Sequence, residues 1–428
     1  DGYGICLLEN PQPLDPDNLR YLDAEDIERP HLETPRADER SAHIYKPPFN
    51  KLFVLPRIAW DYGKFKPGFY AYTGDILDRL TLFGGAAYGP HGDRDLYLSA
   101  EYRMLFPTLF LEAYNIGRYN AERFDDTFVI VGQTREDSLA APIFGTYGVE
   151  YKFNLMELDL GGRVPVRDNY QVSAMFRLSN YKASLAFDDG GSFEYTYFRG
   201  KSYILRVDTD QRAASVASDI HPRGGWRGWV EYARENNRFL EGFKVEAERG
   251  TIVEVYKPYN YHHFETDIDY YWGIYKGLTL NPRLLAGWLS DTQIDPFFYL
   301  YAGGLMGLRG YSFYSLGGSI RATGRLSLRA PLLTGINRKW GPFYLDRIHG
   351  ALFAEAGDAW SGDFNLNRIK RDVGAELRFK LFSWYGFPTD VELAGAYSLD
   401  RFAVQDNTGR HEYGREWRWY LTVLFDFI

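Results

Sequence analysis

The feature that most constrains this chain is a period of two that recurs from Lys51 to the C-terminus. In DLYLSAEYRM, Leu96, Leu98, Ala100, Tyr102 and Met104 share one face, while Asp95, Ser99, Glu101 and Arg103 lie opposite with Tyr97. MELDLGGRV sets Met156, Leu158 and Leu160 against Glu157, Asp159 and Arg163. TGRLSLRAPL sets Leu326, Leu328 and Ala330 against Arg325, Ser327 and Arg329. RDVGAELRFKL does the same with Val373, Ala375, Leu377, Phe379 and Leu381 against Asp372, Glu376, Arg378 and Lys380. Successive side chains alternate sides only along a β-strand, so the spacing predicts strand after strand, separated by Gly, Asn, Asp and Pro. No amphipathic helix longer than about three turns competes with it.

Two architectures share such alternation. A soluble sandwich turns the apolar face inward, whereas a membrane barrel turns it toward lipid and lines its interior with the polar face. Aromatic residues favour the barrel. There are 34 Tyr and 30 Phe, more than a soluble core requires. They crowd segment ends, as in WDYGKFKPGFYAY, YNYHHFETDIDYYWGIY, FFYLY and REWRWYLTV. Rings gathered at two levels are what the headgroup regions of a bilayer select. The segments are about ten residues long, the span of a tilted transmembrane strand. Residues 51–428 then hold about 16 strands, and the last segment puts Trp419, Leu421, Val423, Phe425 and Phe427 on one face. Mean hydropathy is −0.38 and no apolar run reaches helix-spanning length, as expected of dispersed apolar residues.

Residues 1–50 read differently. DGYGICLL has the pattern of a short strand, and the Pro-, Asp-, Glu- and Arg-rich segment after it reads as a linker or extended arm. The expected division is therefore an arm over 1–50, the remnant of an upstream domain, and a barrel over 51–428. No signal peptide is visible, so a processed protein or a fragment is expected. Cys6 is the one cysteine, which leaves no disulfide within the chain and no cysteine-built metal site.

Charge and motifs narrow the chemistry. A net charge of −8 argues against nucleic acid as a partner. His262 and His263 fall on opposite strand faces, a poor chelate, and no metal or cofactor is expected. There is no G-x-S-x-G, so nothing marks a serine hydrolase, and the chain is expected not to be an enzyme. Glu157 and Asp159 could form an acid–base pair, but residues two apart on the solvated face of a strand are far more often interior polar lining. In GGLMGLRGYSF the glycines at 304, 307 and 310 match neither G-x-G-x-x-G nor a P-loop. The residues alone leave Arg309 readable as a solvated loop cation.

A series of segments changes that reading. YAGGLMGLRGYSFYSLGG is followed by SIRATGRLSLRAPL, GALFAEAGDAW, DVGAELRFKLF and ELAGAYSLD. Arg309, Gly310 and Tyr311 form an Arg-Gly-Tyr tip; Phe353, Glu355 and Gly357 form a Phe-x-Glu-x-Gly strand; Gly317, Gly318, Arg329, Pro331 and Leu332 frame a Gly-Gly-strand-Arg-x-Pro-Leu unit. The chain thereby resembles the BamA and two-partner-secretion transporter superfamily of outer-membrane proteins, specifically over about 285–428 and by pattern over 51–284. Glu355 stands where that family usually has Asp, and Ile428 follows Phe427 where it usually ends on an aromatic residue.

The resemblance implies an all-β fold, a 16-stranded antiparallel transmembrane β-barrel with a long loop 6 folded into the lumen. It implies a bacterial-type outer-membrane location and a role in protein assembly into, or translocation across, that membrane. The implied partners are a lipid bilayer bearing lipopolysaccharide and a polypeptide client or periplasmic or outer-membrane protein. It implies a loop-6 lock made by Arg309, Gly310, Tyr311, Phe353, Glu355 and Gly357, with Gly357 leaving room for the loop. It also implies a mobile seam between the strand carrying Phe53 and Trp60 and the one carrying Trp419, Phe425 and Phe427. Fifty polar residues cannot build the POTRA domain usual in that family. DGYGICLL resembles instead the final strand of a TolB-type propeller blade, as in propeller–barrel fusions. The alternative is therefore a membrane-anchoring or docking subunit without transport activity, with a diffusion channel and a rim hydrolase as further rivals.

Overall fold

The computed structural model describes residues 52–425 except 62–63, 76, 78, 129–142, 168, 188–190, 214–220, 247–250, 276, 384–386 and 407–408. Sixteen strands follow in chain order. They are β1 (Leu52–Asp61), β2 (Lys64–Gly74), β3 (Leu80–Tyr88), β4 (Arg94–Tyr102), β5 (Thr108–Phe128), β6 (Ile143–Arg167), β7 (Tyr170–Phe187) and β8 (Ser192–Asp210). The second half comprises β9 (Gly224–Glu246), β10 (Thr251–Tyr275), β11 (Leu278–Leu289), β12 (Ile320–Leu333), β13 (Phe343–Trp360), β14 (Lys370–Ser383), β15 (Phe387–Ser398) and β16 (Trp417–Phe425). Each pairs antiparallel with the next, so one meander runs from β1 to β16 in a single sheet. A three-residue strand, Arg338–Trp340, adds a seventeenth member beside β13. Among the described residues β1 pairs only with β2 and β16 only with β15.

The two faces are inverted relative to a soluble domain. Buried on one face lie Lys66, Asp159, Asp269, Arg321, Arg329, Glu355, Asp372 and Glu376, whereas Leu205, Val230, Phe264, Leu326, Leu352 and Leu421 are exposed on the other. Ion pairs offset much of the charge on the buried face: Arg177 with Asp159, Arg283 with Asp267, Arg321 with Glu265 and Lys66 with Asp95. Glu157 and Asp159 both pair with Arg177, so they are lining and not an acid–base pair. A single sheet with its charges inside does not fit the sandwich alternative, which would bury the apolar face.

The sheet curls around its polar face. Lys64 of β2 donates to the Tyr119 carbonyl of β5, although strands three apart in a flat sheet stand about 14 Å from each other, farther than a lysine side chain extends. Lys64 of β2 likewise pairs with Asp93 just before β4.

Strand lengths depart from the expected ten residues. β1–β4 have 9–11, but β5–β10 have 18–25. In stretches such as ENNRFLEGFKVE the apolar contrast fades because both faces become polar, so periodicity alone ends these strands too early. At the other extreme Met104 leaves its predicted strand, since β4 stops at Tyr102.

Candidate functional site: an arginine anchored on the polar face

The connection between β11 and β12, residues 290–319, is the longest between described strands, and it lies against the polar face. It contains two short 3-10 turns, Pro296–Phe298 and Gly304–Met306, and a two-residue ladder of Leu300–Tyr301 with Gly317–Gly318. Asp295 caps the first turn by accepting from the Phe297 N–H. Phe297 and Phe298 wedge among Phe198, Phe239 and Tyr259 with ring centroids 4.8–5.8 Å apart. Further on, Ala302, Leu308, Tyr311 and Leu316 form an apolar knot with Ala359 of β13. These two packed regions fix the connection, and Arg309 projects from the second, between Leu308 and Tyr311.

Arg309 meets a row of carboxylates contributed by consecutive strands. Its Nε donates to Glu355 Oε1 at 3.0 Å, and its backbone N–H donates to Glu355 Oε2 at 2.8 Å. Its Nη1 donates to Glu376 Oε2 at 3.0 Å and lies 3.8 Å from Glu392. The Gly310 N–H donates to Asp372 at 2.8 Å. The guanidinium carbon sits 3.5 Å from the centroid of the Phe353 ring, a cation–π contact. Arg309 and Glu355 are each only 3% exposed. At that depth a planar, always-charged cation with several fixed donors serves better than lysine, because Glu355 and Glu376 are each met by a directed hydrogen bond.

The alternation places these groups. Phe353, Glu355 and Gly357 lie on the buried face of β13, and Leu352 on its exposed face. Antiparallel register then puts Glu355 opposite Arg325 of β12 and Asp372 of β14. Glu376 is bound also by Arg378, which pairs with Glu392 of β15. The cluster thus mixes both signs across four neighbouring strands, with the carboxylates of Glu355 and Asp372 directly opposite each other and both bonded from the Arg309–Gly310 tip.

Close approach depends on two glycines. A Cβ on Gly310 would stand 2.6 Å from the Asp372 Cβ and 2.9 Å from the Ser398 nitrogen. A Cβ on Gly374 would meet the Phe353 ring at 2.2 Å, so the ring lies flat over that glycine. Gly357 departs from its expected part. A Cβ there would stand 2.4 Å from Ala322 O and 2.7 Å from Thr323 Cα, so the glycine admits the neighbouring strand β12 and not the loop.

Tyr311 is fully buried. Its hydroxyl donates toward the carbonyls of Arg371 and Asp400 and accepts from the Asp400 N–H, tying 290–319 to the 399–416 connection. Hydrogen bonds from Arg371 hold the Asp400 carboxyl below the usual carboxylate range. From the last strand, the Tyr420 hydroxyl donates to the Arg309 carbonyl at 2.8 Å. Asp372, Glu376, Glu392, Asp400 and Tyr420 were not singled out by sequence. The first two were legible as polar-face residues, but only strand register shows that they share one cation.

For the expected seam, Phe53 and Trp419 are both exposed, but only Trp419 lies on the apolar face; Phe53 shares the face of Arg57 and Lys66. Trp60 and Phe425 fall within those strands, but their side chains lie outside the described residues, as does the whole of Phe427. His262 and His263 do point to opposite faces. His262 Nδ1 lies 2.7 Å from the Tyr232 hydroxyl, and His263 lies 3.7 Å from Glu265.

No protein-family model matches the sequence, and no curated protein matches it. Solved structures do. BamA from Haemophilus ducreyi lacking POTRA domains 1–3 superposes with a TM-score of 0.51 at 12% identity, over 88% of this chain and 70% of that one. The chain has the fold of BamA. CdiB from Escherichia coli matches with a TM-score of 0.47 at 11% identity, over 84% of this chain, which spans 60% of the CdiB chain. CdiB from Acinetobacter baumannii gives 0.47 at 11% identity, with 87% and 59% covered. Among the described residues no helix is long and apolar enough to cross a membrane.

Proposed function

We propose that residues 52–428 form a closed 16-stranded outer-membrane β-barrel. In this reading the 290–319 connection is loop 6, anchored in the lumen by Arg309, and the protein assembles polypeptides into, or moves them across, the outer membrane without enzymatic chemistry. The observation that carries the reading is the buried Arg309 cluster inside a sheet whose apolar side chains face outward. Such a surface is stable only against lipid, and a lipid-exposed sheet leaves no edge open. The curl of the sheet and the even number of strands in the meander support closure between β1 and β16. Among the described residues each of those two strands pairs on one side only, so in this reading they are the seam through which a client strand would be received.

Strand parity then sets the sides. Connections after odd-numbered strands, including 290–319 and 399–416, face the cell exterior. Those after even-numbered strands face the periplasm, as do residues 1–50. The second reading, a membrane anchor for a periplasmic partner, is favoured by the acidic, proline-rich composition of residues 1–50.

The decisive assay reconstitutes the full chain in liposomes and adds an unfolded outer-membrane protein. Accelerated appearance of protease-resistant, heat-modifiable client supports assembly. Equal rates with empty liposomes, together with stable co-purification of a periplasmic subunit, support the anchor instead.

A further inference from the structure

The outward face of β7–β10 carries a feature that neither the curled sheet nor the Arg309 anchor uses. In the register of these strands, Arg199 of β8 stands directly opposite Arg238 of β9, with Asn180 of β7 on the flank of Arg199. One step along, Lys201 faces Asn236, which faces Asn260. One step further, Tyr203 faces Arg234, which faces His262. Like charges placed directly across a strand pair repel each other, and here two guanidinium groups do so on an exposed face.

Little within the protein offsets that charge. Arg199 touches Glu254 at 3.4 Å and lies over the Tyr256 ring. Lys201, Arg234 and Arg238 form no ion pair among the described residues. The patch floors a groove of about 670 Å³ bordered by Leu178, Asn180, Arg199, Lys201, Arg238 and Asn260. That volume lies within the range of small-ligand sites.

Immediately beyond, the same strands turn apolar. Leu205 faces Tyr232, which faces Phe264, and Val207 faces Val230 in the next row. All five are exposed. Successive rows on one face lie about 7 Å apart, so cations, amides, aromatics and aliphatics follow one another within a lipid's length. We infer that this groove binds the headgroup of a phosphorylated glycolipid, its phosphate bridging Arg199, Lys201 and Arg238 and its acyl chains lying on Leu205, Val207 and Val230. Arginine pairs form bidentate, charge-assisted bonds to phosphate oxygens. Asn180, Asn236 and Asn260 offer donors and acceptors to sugar hydroxyls. A free phosphate would use the cations but leave the amide row without a role, and would not explain why that row borders the lipid-facing apolar rows.

The inference rests on the outer-membrane reading and places the groove at the outer headgroup level, because it lies toward the exterior end of the long strands. It is tested by native mass spectrometry of the full chain in detergent with lipid A, dephosphorylated lipid A, phosphatidylglycerol or inorganic phosphate as probes. Lipid A is expected to bind at least about tenfold more tightly than dephosphorylated lipid A or phosphatidylglycerol, and to resist millimolar inorganic phosphate. The Arg199→Gln/Lys201→Gln/Arg238→Gln variant is expected to lose that preference, whereas Lys182→Gln, outside the groove, keeps it. Equal binding of lipid A and its dephosphorylated form, full competition by inorganic phosphate, equal binding of phosphatidylglycerol, or an unaltered triple variant would each overturn it. Heat-modifiable migration and membrane fractionation of the same samples read the barrel independently, so a correctly inserted barrel without lipid A preference sinks the groove alone.

Discussion

Arg309 and Glu355 are joined twice, by a side-chain Nε bond of 3.0 Å and a backbone N–H bond of 2.8 Å to the other carboxylate oxygen. The pair fixes both the guanidinium and the backbone from which it springs, so the loop tip has one position on β13. Removing the cation leaves Glu355, Asp372 and Glu376 buried with less compensation than they require. Arg309→Ala is expected to cost about 3–5 kcal/mol, read as a lower unfolding midpoint or faster loss of heat-modifiable migration. Arg309→Lys is expected to recover part of that loss but not the second hydrogen-bonded carboxylate. A midpoint unchanged in Arg309→Ala would show that the pair does not hold the loop.

Gly310→Ala tests close approach without altering charge. Its Cβ would overlap Asp372 and the backbone of Ser398, and neither is the far end of a flexible chain. A penalty of about 1–3 kcal/mol is expected, together with protease cleavage within 290–319. Gly357→Ala should instead disturb pairing of β12 with β13, since its contacts are Ala322 and Thr323. Cleavage confined to 290–319 in Gly357→Ala would contradict that assignment.

Tyr420→Phe removes one hydroxyl that links the last strand to the loop tip. The expected cost is about 0.5–1.5 kcal/mol. It should be non-additive with Arg309→Ala in a double-mutant cycle, because both act on the same residue. Strict additivity would mean that β16 and the loop are not energetically coupled.

Phe353→Leu keeps much of the apolar volume but removes the ring beneath the guanidinium. A loss of about 0.5–2 kcal/mol is expected from the cation–π contact, on top of the packing change over Gly374. If the loss persisted in an Arg309→Gln background, packing and not the cation would be the cause.

Much of this was legible in the sequence because a strand's period is two. Leu352, Ala354 and Ala356 separate from Phe353 and Glu355 by alternation alone, and the faces so assigned match the observed burial. Contact between Arg309 and Glu355 came only from the paired motifs, since 46 residues separate them. The remaining partners were hidden because they depend on register: Asp372 and Glu376 reach the tip only when β13 and β14 align as they do. Tyr420 was obscured by its neighbours, Trp419 and Leu421, whose exposed apolar face dominates the segment. The opposed Arg199 and Arg238 were invisible for the same reason, as neither belongs to a local pattern.

The most direct measurement is a cryo-EM structure of the full chain in a lipid nanodisc. The account predicts a closed wall of 16 strands with β1 beside β16, the apolar face in the lipid belt, and Arg309 bonded to Glu355 within the lumen. A two-layered sheet outside the lipid, or a 290–319 connection standing clear of β13–β15 with Arg309 in solvent, would contradict it.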